Sequence, residues 1–377
     1  MFHYKQLLEE NKEELAVLVS REHGKTIDDA KGSITRGIEI VEFACGIPQM
    51  MKGEYSANVG SGVDSFNTRQ ALGVCAGITP FNFPIMVPMW MWPMAVACGN
   101  TFVLKPSEKD PISAVRTTEL AHEAGFPEGV LNLVHGGPAV VDRLLAHEDV
   151  AAVSFVGSTR AGASIYAKGA AHGKRVQCMC GAKNFSIIMP DANRGAAVDG
   201  IFGSAFGNTG QRCLAGSVVV CVGDSADWFV PALVERTRGI KIGAGDRPDT
   251  SMGPMQDLES RDRVLEYVGI GEAEGASVLI DGRTADIPSA GCFVGPTILD
   301  HVTPDMRVGT EEIFGPVVVA IAWTDVDDVV RMANDTAYGL GAYVWSHDID
   351  LAITTAHRLE AGWVQINHST TRTMSLT

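Results

Sequence analysis

The segment Gly73–Leu104, GVCAGITPFNFPIMVPMWMWPMAVACGNTFVL, joins two short β-rich runs through a longer apolar stretch. Val74–Ile78 and Thr101–Leu104 have the length and composition of buried strands. Pro84–Cys98 is longer, is apolar on all sides and opens at a proline, which indicates a buried helix. Strand, helix and strand in this order predict a right-handed βαβ unit with two parallel strands.

The same alternation continues along most of the chain. Further strand-like runs separated by helix-like segments are Val130–Val134, Ala151–Val156, Phe185–Met189, Ser217–Val222, Val278–Ile280 and Val317–Ile321. This pattern predicts an α/β protein with a Rossmann-like parallel-sheet domain and a second α/β domain, joined near Gly181. We therefore expect one domain over residues 1–52 and 74–181 and another over residues 182–377.

Residues 53–73 interrupt the first domain. Gly53–Arg69 is polar, rich in glycine and alternating, which predicts a protruding β-hairpin. Exposed hairpin edges tend to pair with another chain, so we expect this hairpin to contact a second subunit in a homodimer or homotetramer.

Composition excludes several partners. The net charge is -15 and no basic run is present, which argues against nucleic acid. Met1–Lys5 lacks the apolar core of a secretory signal. Pro84–Cys98 is shorter than the roughly 20 residues of a membrane span and contains Pro88 and Pro93. We expect no membrane partner and a cytoplasmic location, or the mitochondrial matrix if the source is eukaryotic and a targeting segment is absent from this chain.

The eight cysteines are scattered and show no CxxC spacing, as in proteins of reducing compartments. Cys178 and Cys180 would share one face of a strand. A metal or redox role for this pair stays open, but core packing is the preferred interpretation, and no metal site is predicted.

Two segments that follow strands have the pattern of a dinucleotide site. Phe155–Gly162 ends a strand, turns at Gly157 and Ser158 and opens a helix, with the spacing GxTxxG. A plain strand-to-helix turn explains this segment equally well. Lys105 and Glu108 could both reach ribose hydroxyls, and a carboxylate there disfavours a 2'-phosphate, so NAD is predicted over NADP.

A cysteine stands in the Gly-rich polar loop Phe206–Leu214, between an apolar helix and an apolar strand. Such a loop gives Cys213 access to substrate, and backbone N–H groups and Arg212 could favour its thiolate. Taken alone, a cysteine beside an arginine is more often an ordinary packed residue.

Four ordered motifs resemble the aldehyde dehydrogenase superfamily, and the resemblance covers essentially the whole chain. The motifs are Gly73–Pro84, Lys105–Glu108, Gly210–Cys213 and Glu311–Pro316. The resemblance implies that the first domain binds NAD, that the second is catalytic, and that the aldehyde is oxidised through a thioester.

The resemblance also implies a role for each matching position. Cys213 would attack the aldehyde carbonyl, and its N–H together with the Asn82 side-chain amide would hold the oxyanion. Positions that match cofactor contacts are Thr79, Phe81, Lys105, Glu108, Gly157, Ser158, Glu312 and Phe314. Of these, Glu312 and Phe314 match the contacts to the nicotinamide ribose and ring. Two alternatives to these functional roles remain: Asn82 could be only a turn residue, and Glu312 could be only an acidic residue at a helix end.

Met179 stands where most hydrolytic members carry the glutamate that activates water. A thioether cannot accept that proton, so hydrolysis of the thioester is expected to be disabled. Together with Gly181–Asn184, this departure resembles the CoA-acylating methylmalonate-semialdehyde dehydrogenase branch. In that branch coenzyme A is the co-substrate that captures the acyl group.

Substrates of that branch are methylmalonate and malonate semialdehyde, which carry a carboxylate. Arg36 and Arg212 match the family's two substrate arginines, which could clamp the carboxylate; for Arg36 a place on a helix surface is an equal alternative. Loss of that carboxylate as carbon dioxide, beside the thioester carbonyl, would give propionyl-CoA or acetyl-CoA and NADH.

Three features depart from this branch: Phe185 replaces a frequent histidine, Met179 replaces the expected asparagine, and Gly362–Thr370 is more similar to hydrolytic members. A hydrolytic NAD(P)-dependent aldehyde dehydrogenase that forms a free acid is therefore kept as an alternative. Both ends are short relative to the family, which leaves a truncated or non-catalytic paralogue with a role in assembly as another.

Overall fold

The structure is a computed structural model that describes residues 1–369. The chain divides into two compact units. Unit 1 contains residues 1–23 and 30–180, and unit 2 contains residues 24–29 and the chain from Gly181 onward. The short segment 24–29 thus groups with unit 2, although the sequence pattern placed it in the first domain.

Unit 1 is built on a five-stranded parallel sheet and a separate hairpin. Its strands are β1 (Tyr55–Gly60), β2 (Val63–Phe66), β3 (Val74–Ile78), β4 (Thr101–Lys105), β5 (Leu131–Leu133), β6 (Val150–Val156) and β7 (Arg175–Met179). Its helices are α1 (Phe2–Glu10), α2 (Lys12–His23), α3 (Ile27–Cys45, which begins in the segment 24–29), α4 (Ile47–Met50), α5 (Met86–Ala97), α6 (Ile112–Glu123), α7 (Pro138–Ala146) and α8 (Thr159–Ala171). The sheet order is β5-β4-β3-β6-β7, which is a doubly wound arrangement.

Strands β1 and β2 form the antiparallel hairpin of unit 1. Tyr55 pairs with Phe66 and Gly60 with Val63. Every residue of both strands is exposed. The hairpin therefore presents apolar side chains to solvent, and its role in oligomerisation stays a prediction.

Unit 2 contains a seven-stranded sheet in the order β10-β11-β12-β9-β8-β13-β14. Its strands are β8 (Phe185–Ile188), β9 (Val218–Val222), β10 (Ser277–Ile280), β11 (Thr297–Asp300), β12 (Val317–Trp323), β13 (Gly341–Trp345) and β14 (Trp363–Ile366). Its helices are α9 (Arg194–Phe206), α10 (Ser225–Arg238), α11 (Leu258–Glu274), α12 (Arg307–Thr310), α13 (Val326–Asn334) and α14 (Ile349–Arg358). Only β10 pairs antiparallel with its neighbour.

The central strand β9 is buried on both faces. Val218, Val220 and Val222 pack into one apolar cluster. Val219 and Cys221 pack into another on the opposite face. Each fully buried valine stabilises the fold by about 1.5–3 kcal/mol, which explains why this strand is a continuous apolar run.

These sheets confirm the predicted α/β class with Rossmann-like parallel sheets. Helices α1 and α2 are separated at Asn11, whose side chain bonds the Leu7 carbonyl and so competes with the helical backbone. One local detail differs from the sequence pattern. The buried helix starts at Met86, because Pro84 and the turn after β3 precede it.

Two features are absent from residues 1–369. No helix there is long and apolar enough to cross a bilayer. No group of three or more His, Cys, Asp or Glu side chains in that range could hold a metal ion. The C-terminal motif singled out above ends at Thr370, which lies outside the described residues.

Candidate active site

The carboxyl ends of β4, β3 and β6 lie side by side at one edge of the unit 1 sheet. Ile78, the last residue of β3, pairs with Lys105 of β4 and with Phe155 of β6. The chain runs from β3 to β4 and β5 on one side and then crosses to β6 on the other, so the strand order reverses between β3 and β6. Ligands of open parallel sheets bind in the crevice at such a reversal. Thr79 and Gly157 directly follow these strand ends.

Lys105 and Glu108 form a pair at this edge. The Lys105 side chain is buried, its Nζ lies 3.0 Å from Glu108 Oε2, and it also donates to the Pro106 carbonyl. Partial burial opposes ionisation of Glu108, but the hydrogen bond from Lys105, the Glu108 N–H and the charges of Lys105 and Lys109 together outweigh it and hold the pKa of this carboxyl below its ordinary value. A charged, partly exposed carboxylate is thus available here as an acceptor for hydroxyl groups.

The turn at Gly157 and Ser158 has the strand–turn–helix geometry. The Ser158 side chain caps the first turn of α8. A Cβ at Gly157 would lie 2.5 Å from the Phe155 ring, and one at Gly162 would lie 2.2 Å from the Cys180 sulfur. Close packing therefore requires both glycines, and it keeps the N-terminus of α8 against the end of β6.

The segment after β3 carries the other predicted contacts of unit 1. Thr79 is buried, and its Oγ1 has no hydrogen-bond partner within residues 1–369. The Phe81 ring stacks on His23 at 6.0 Å, with the Lys109 ammonium 5.0 Å from its centroid. Asn82 is also buried. A buried hydroxyl without a partner at this edge fits a site for a polar ligand such as NAD.

In unit 2 the loop Gly207–Leu214, here called the nucleophile loop, has a strained backbone. Asn208 and Thr209 both have φ of 54°. This left-handed conformation is uncommon for residues other than glycine and is rare for a β-branched residue such as Thr209. The Asn208 amide donates to the Gln211 carbonyl at 2.9 Å, and the Thr209 hydroxyl donates to the Gly253 carbonyl at 3.0 Å. Such strain persists where surrounding contacts fix the conformation, as is common at functional sites.

The nucleophile loop and the motif Glu311–Pro316 line one narrow cavity. Its lining includes Arg212, Cys213, Glu312 and Phe314. The two segments touch at glycines: Gly210 has φ of +69°, and a Cβ there would lie 2.1 Å from the Gly315 carbonyl oxygen. Two motifs that lie about a hundred residues apart in sequence are therefore joined by tertiary packing.

Cys213 is half-buried in this cavity. Burial, followed by the negative charge of Glu312, raises the pKa of the Cys213 thiol to about 11. The N–H groups of Cys213 and Leu214 and the charge of Arg212 act in the opposite direction. This raised pKa favours the protonated thiol at neutral pH.

Glu312 is held by the Gly181–Asn184 segment. Its Oε1 accepts a hydrogen bond of 3.0 Å from the Ala182 N–H. Burial nevertheless raises the pKa of Glu312. Burial also lowers the pKa of Lys183 to about 7, against the attraction of Glu312, and its Nζ has no hydrogen-bond partner within the described part of the chain.

The two predicted substrate arginines differ in their surroundings. Arg36 is a partly buried residue of α3 in unit 1. Arg212 belongs to unit 2, where its guanidinium lies 2.5 Å from Asp29 and also donates to the Gly203 carbonyl. The Arg212 side chain is therefore oriented by an ion pair within its own unit.

Three residues around the nucleophile loop were not predicted as site residues. Asn184 and Tyr343 bond its carbonyl groups, and Asp29 bonds both Arg212 and the Asn208 N–H. Asn184 stands inside the motif Gly181–Asn184, which was a usable signal. Nothing in the sequence singles out Tyr343 or Asp29.

Comparison with known proteins places these features in a family. The model described as "Aldehyde dehydrogenase family" matches residues 1–376. A malonate-semialdehyde dehydrogenase of Pseudomonas aeruginosa is 47% identical, over 97% of this chain and 74% of that protein. A mitochondrial methylmalonate-semialdehyde dehydrogenase [acylating] of Arabidopsis thaliana is 46% identical, over 97% of this chain and 61% of that protein.

Solved structures give the same result. A proposed methylmalonate-semialdehyde dehydrogenase from Sinorhizobium meliloti 1021, in complex with NAD, is 43% identical with a TM-score of 0.95. The match covers 98% of this chain and 76% of that one. The predicted family resemblance is confirmed by these findings, and the chain belongs to the aldehyde dehydrogenase family.

Proposed function

We propose that this chain oxidises a carboxylate-bearing aldehyde, methylmalonate or malonate semialdehyde, with NAD and coenzyme A as co-substrates. The observation that carries the proposal is that Cys213, Glu312 and Phe314 line the same cavity. The names of the relatives support the same substrate class and an acylating reaction.

In the proposed reaction the Cys213 thiol loses its proton to solvent, and its sulfur forms a bond to the aldehyde carbon as the carbonyl π bond opens. The resemblance assigns the resulting oxyanion to the Cys213 N–H and to the Asn82 amide. NAD, when bound, supplies the acceptor for the hydride that leaves this carbon. Residues proposed to hold it are Thr79, Phe81, Lys105, Glu108, Gly157, Ser158, Glu312 and Phe314.

The product of oxidation is an acyl thioester on Cys213. Met179 offers no base for water, whereas the thiol of coenzyme A is partly ionised near neutral pH and needs less assistance. Its sulfur forms a new thioester and the Cys213 sulfur leaves. The β-carboxylate departs as carbon dioxide, and a proton replaces it on the carbon, which gives propionyl-CoA or acetyl-CoA.

The two arginines are proposed to recognise the substrate carboxylate. The ion pair with Asp29 holds the Arg212 guanidinium in place, so that binding requires little reorganisation. Arg36 is proposed as the second arginine on the strength of the resemblance alone.

We also propose a homodimer or homotetramer that uses the hairpin of β1 and β2. Tyr55 and Phe66 are 65% and 74% exposed there, which is unusual for large apolar side chains. Because all eight cysteines are free, we propose a reducing compartment: the cytoplasm, or the mitochondrial matrix in a eukaryote.

The proposal is tested with purified protein, NAD and malonate semialdehyde, with and without coenzyme A. We expect fast NADH formation only when coenzyme A is present, and acetyl-CoA and carbon dioxide in equal amounts. Fast turnover without coenzyme A, with accumulation of the free acid, would instead support the hydrolytic alternative. Absence of turnover in a folded protein that binds NAD would support a non-catalytic paralogue.

A further inference from the structure

Three consecutive carbonyl groups, those of the last two residues of the nucleophile loop and of Ala215 after it, accept hydrogen bonds from side chains on the neighbouring sheet. The Asn184 amide donates to the carbonyls of Cys213 and Ala215, at 2.7 and 2.9 Å. The Tyr343 hydroxyl donates to the Leu214 carbonyl at 2.6 Å. Two side chains thus bind all three carbonyls, and the Ser204 hydroxyl makes a longer hydrogen bond of 3.4 Å to the Leu214 carbonyl.

These two donors stand on adjacent central strands. Asn184 directly precedes β8, and Tyr343 is in the middle of β13, where it pairs with Ser186. Both side chains are almost completely buried. The Asn184 carbonyl also accepts the Val218 N–H at the start of β9, so the loop and its donors are fixed to the same sheet.

The hydrogen bonds to these carbonyls also fix the direction of the N–H groups in the same peptide units. The N–H groups of Cys213 and Leu214 act to lower the pKa of the Cys213 thiol, so they favour its thiolate. A peptide unit is planar, so binding a carbonyl on one side fixes the N–H of the next residue on the other. The Cys213 carbonyl, bound by Asn184, shares a peptide unit with the Leu214 N–H. The Leu214 carbonyl, bound by Tyr343, shares one with the Ala215 N–H, which donates to the Arg212 carbonyl at 3.2 Å. The Arg212 carbonyl in turn shares its peptide unit with the Cys213 N–H, so Tyr343 acts on that group through this relay.

We propose that Asn184 and Tyr343 are positioning residues that orient the backbone N–H groups of the nucleophile loop toward the reacting sulfur. This inference rests on the proposed role of Cys213. Neither side chain takes part in bond formation; each acts through the backbone of the loop. Pre-oriented donors contribute to rate because they need no reorganisation as charge develops.

The sharper variant is Tyr343→Phe, which removes one hydroxyl and keeps the ring. We expect kcat to fall about tenfold, with the KM for the aldehyde unchanged, as is typical for loss of an interaction made in the transition state. We also expect the pH profile of Cys213 alkylation by iodoacetamide, followed by mass spectrometry of its peptide, to move to higher pH. Asn184→Ala removes two bonds and should change both quantities more.

Matched controls exist elsewhere in the chain. Tyr4 is a buried tyrosine whose hydroxyl donates to the Thr117 carbonyl. Asn334 donates to the Arg358 carbonyl and accepts the Glu360 N–H. Tyr4→Phe and Asn334→Ala should lower thermal stability to a similar degree while leaving kcat and the alkylation profile as in the wild type.

The inference is overturned if folded Tyr343→Phe keeps the wild-type kcat, or loses kcat without any shift of the alkylation profile. It is also overturned if Tyr4→Phe changes both quantities equally. Should Asn184→Ala fail to fold, Tyr343→Phe decides alone. Wild-type activity of Cys213→Ser would be a separate result. It would contradict the proposed function itself, whereas the results above contradict only the positioning role of Asn184 and Tyr343.

Discussion

The two cysteines Cys213 and Cys221 lie eight positions apart in the sequence but in opposite environments. Cys221 is buried in β9 within an apolar cluster, and burial raises its pKa to about 12. Cys213 is half-buried in a polar loop, and burial raises its pKa to about 11. Burial alone therefore does not separate them.

What differs is the set of groups placed against each sulfur. Cys221 has the side chain of Ser225, whereas Cys213 has two backbone N–H groups and the guanidinium of Arg212. These donors can stabilise a thiolate once a base or a ligand removes the proton. We propose that the reactivity of Cys213 depends on these local donors and on access more than on its resting pKa.

The difference between Cys213 and Cys221 is tested most directly by replacing each cysteine with serine. We expect Cys213→Ser to lose at least about 10⁴-fold in kcat/KM, because a serine hydroxyl is a far weaker nucleophile without an activating base. Steady-state NADH formation measures this loss.

The matched variant is Cys221→Ser. It buries a hydroxyl in an apolar cluster and should cost about 1–3 kcal/mol of stability, but the folded fraction should keep its kcat. Equal activity losses in the two variants, at equal folded fraction, would contradict the assignment of Cys213.

A second prediction concerns Glu312→Gln. Glu312 is negatively charged and raises the pKa of Cys213, so its removal should lower that pKa. We expect roughly tenfold faster alkylation of Cys213 by iodoacetamide at pH 8, which corresponds to about one pKa unit. Alkylation of Cys221 should be unchanged in the same sample. A slower reaction at Cys213 would show that Glu312 favours the thiolate.

The smallest effect is expected for Asp29→Asn. This change keeps an acceptor for Arg212 but removes the charge, and it should cost about 1 kcal/mol of unfolding free energy at pH 7. Burial raises the pKa of Asp29, but the charge of Arg212, the Asn208 N–H, the charge of Lys25 and a hydrogen bond with Thr26 together outweigh it and hold this pKa below its ordinary value of 3.8. The carboxylate therefore stabilises the fold above about pH 4, and this contribution is lost as the pH falls through its folded pKa.

Urea unfolding of both proteins at several pH values tests this prediction. The difference between wild type and Asp29→Asn should shrink in acid. A difference that is constant from pH 7 to pH 3 would show that the ion pair does not contribute.

Much of the fold followed from local patterns in the sequence. Strand β9 was predicted because a continuous apolar run needs cover on both faces, and the turn at Gly157 because glycine and serine after a strand favour a helix start. The position of Cys213 in a polar Gly-rich loop also marked it as a candidate. These signals depend only on neighbours along the chain.

Other features could not be predicted in this way. Tyr343 lies 129 positions from the Leu214 carbonyl that it bonds, and Asp29 lies 183 positions from Arg212. Composition around these residues is that of an ordinary strand and an ordinary helix start. The role of Tyr343 arises because the sheet order of unit 2 places β13 beside β8. That of Asp29 arises because the segment 24–29 packs within unit 2.

The amino-acid sequence by itself determined the α/β class, the family and the motif that carries the thiol, because periodicity and short motifs are local properties. The tertiary structure decided which groups surround that thiol. These are Asn184 and Tyr343, which donate hydrogen bonds to the backbone carbonyls beside it, the ion pair of Arg212 with Asp29, and the opposing charge of Glu312. Hydrogen bonds and electrostatic interactions act over a few ångströms, so distance in space, which sheet topology sets, governs the chemistry.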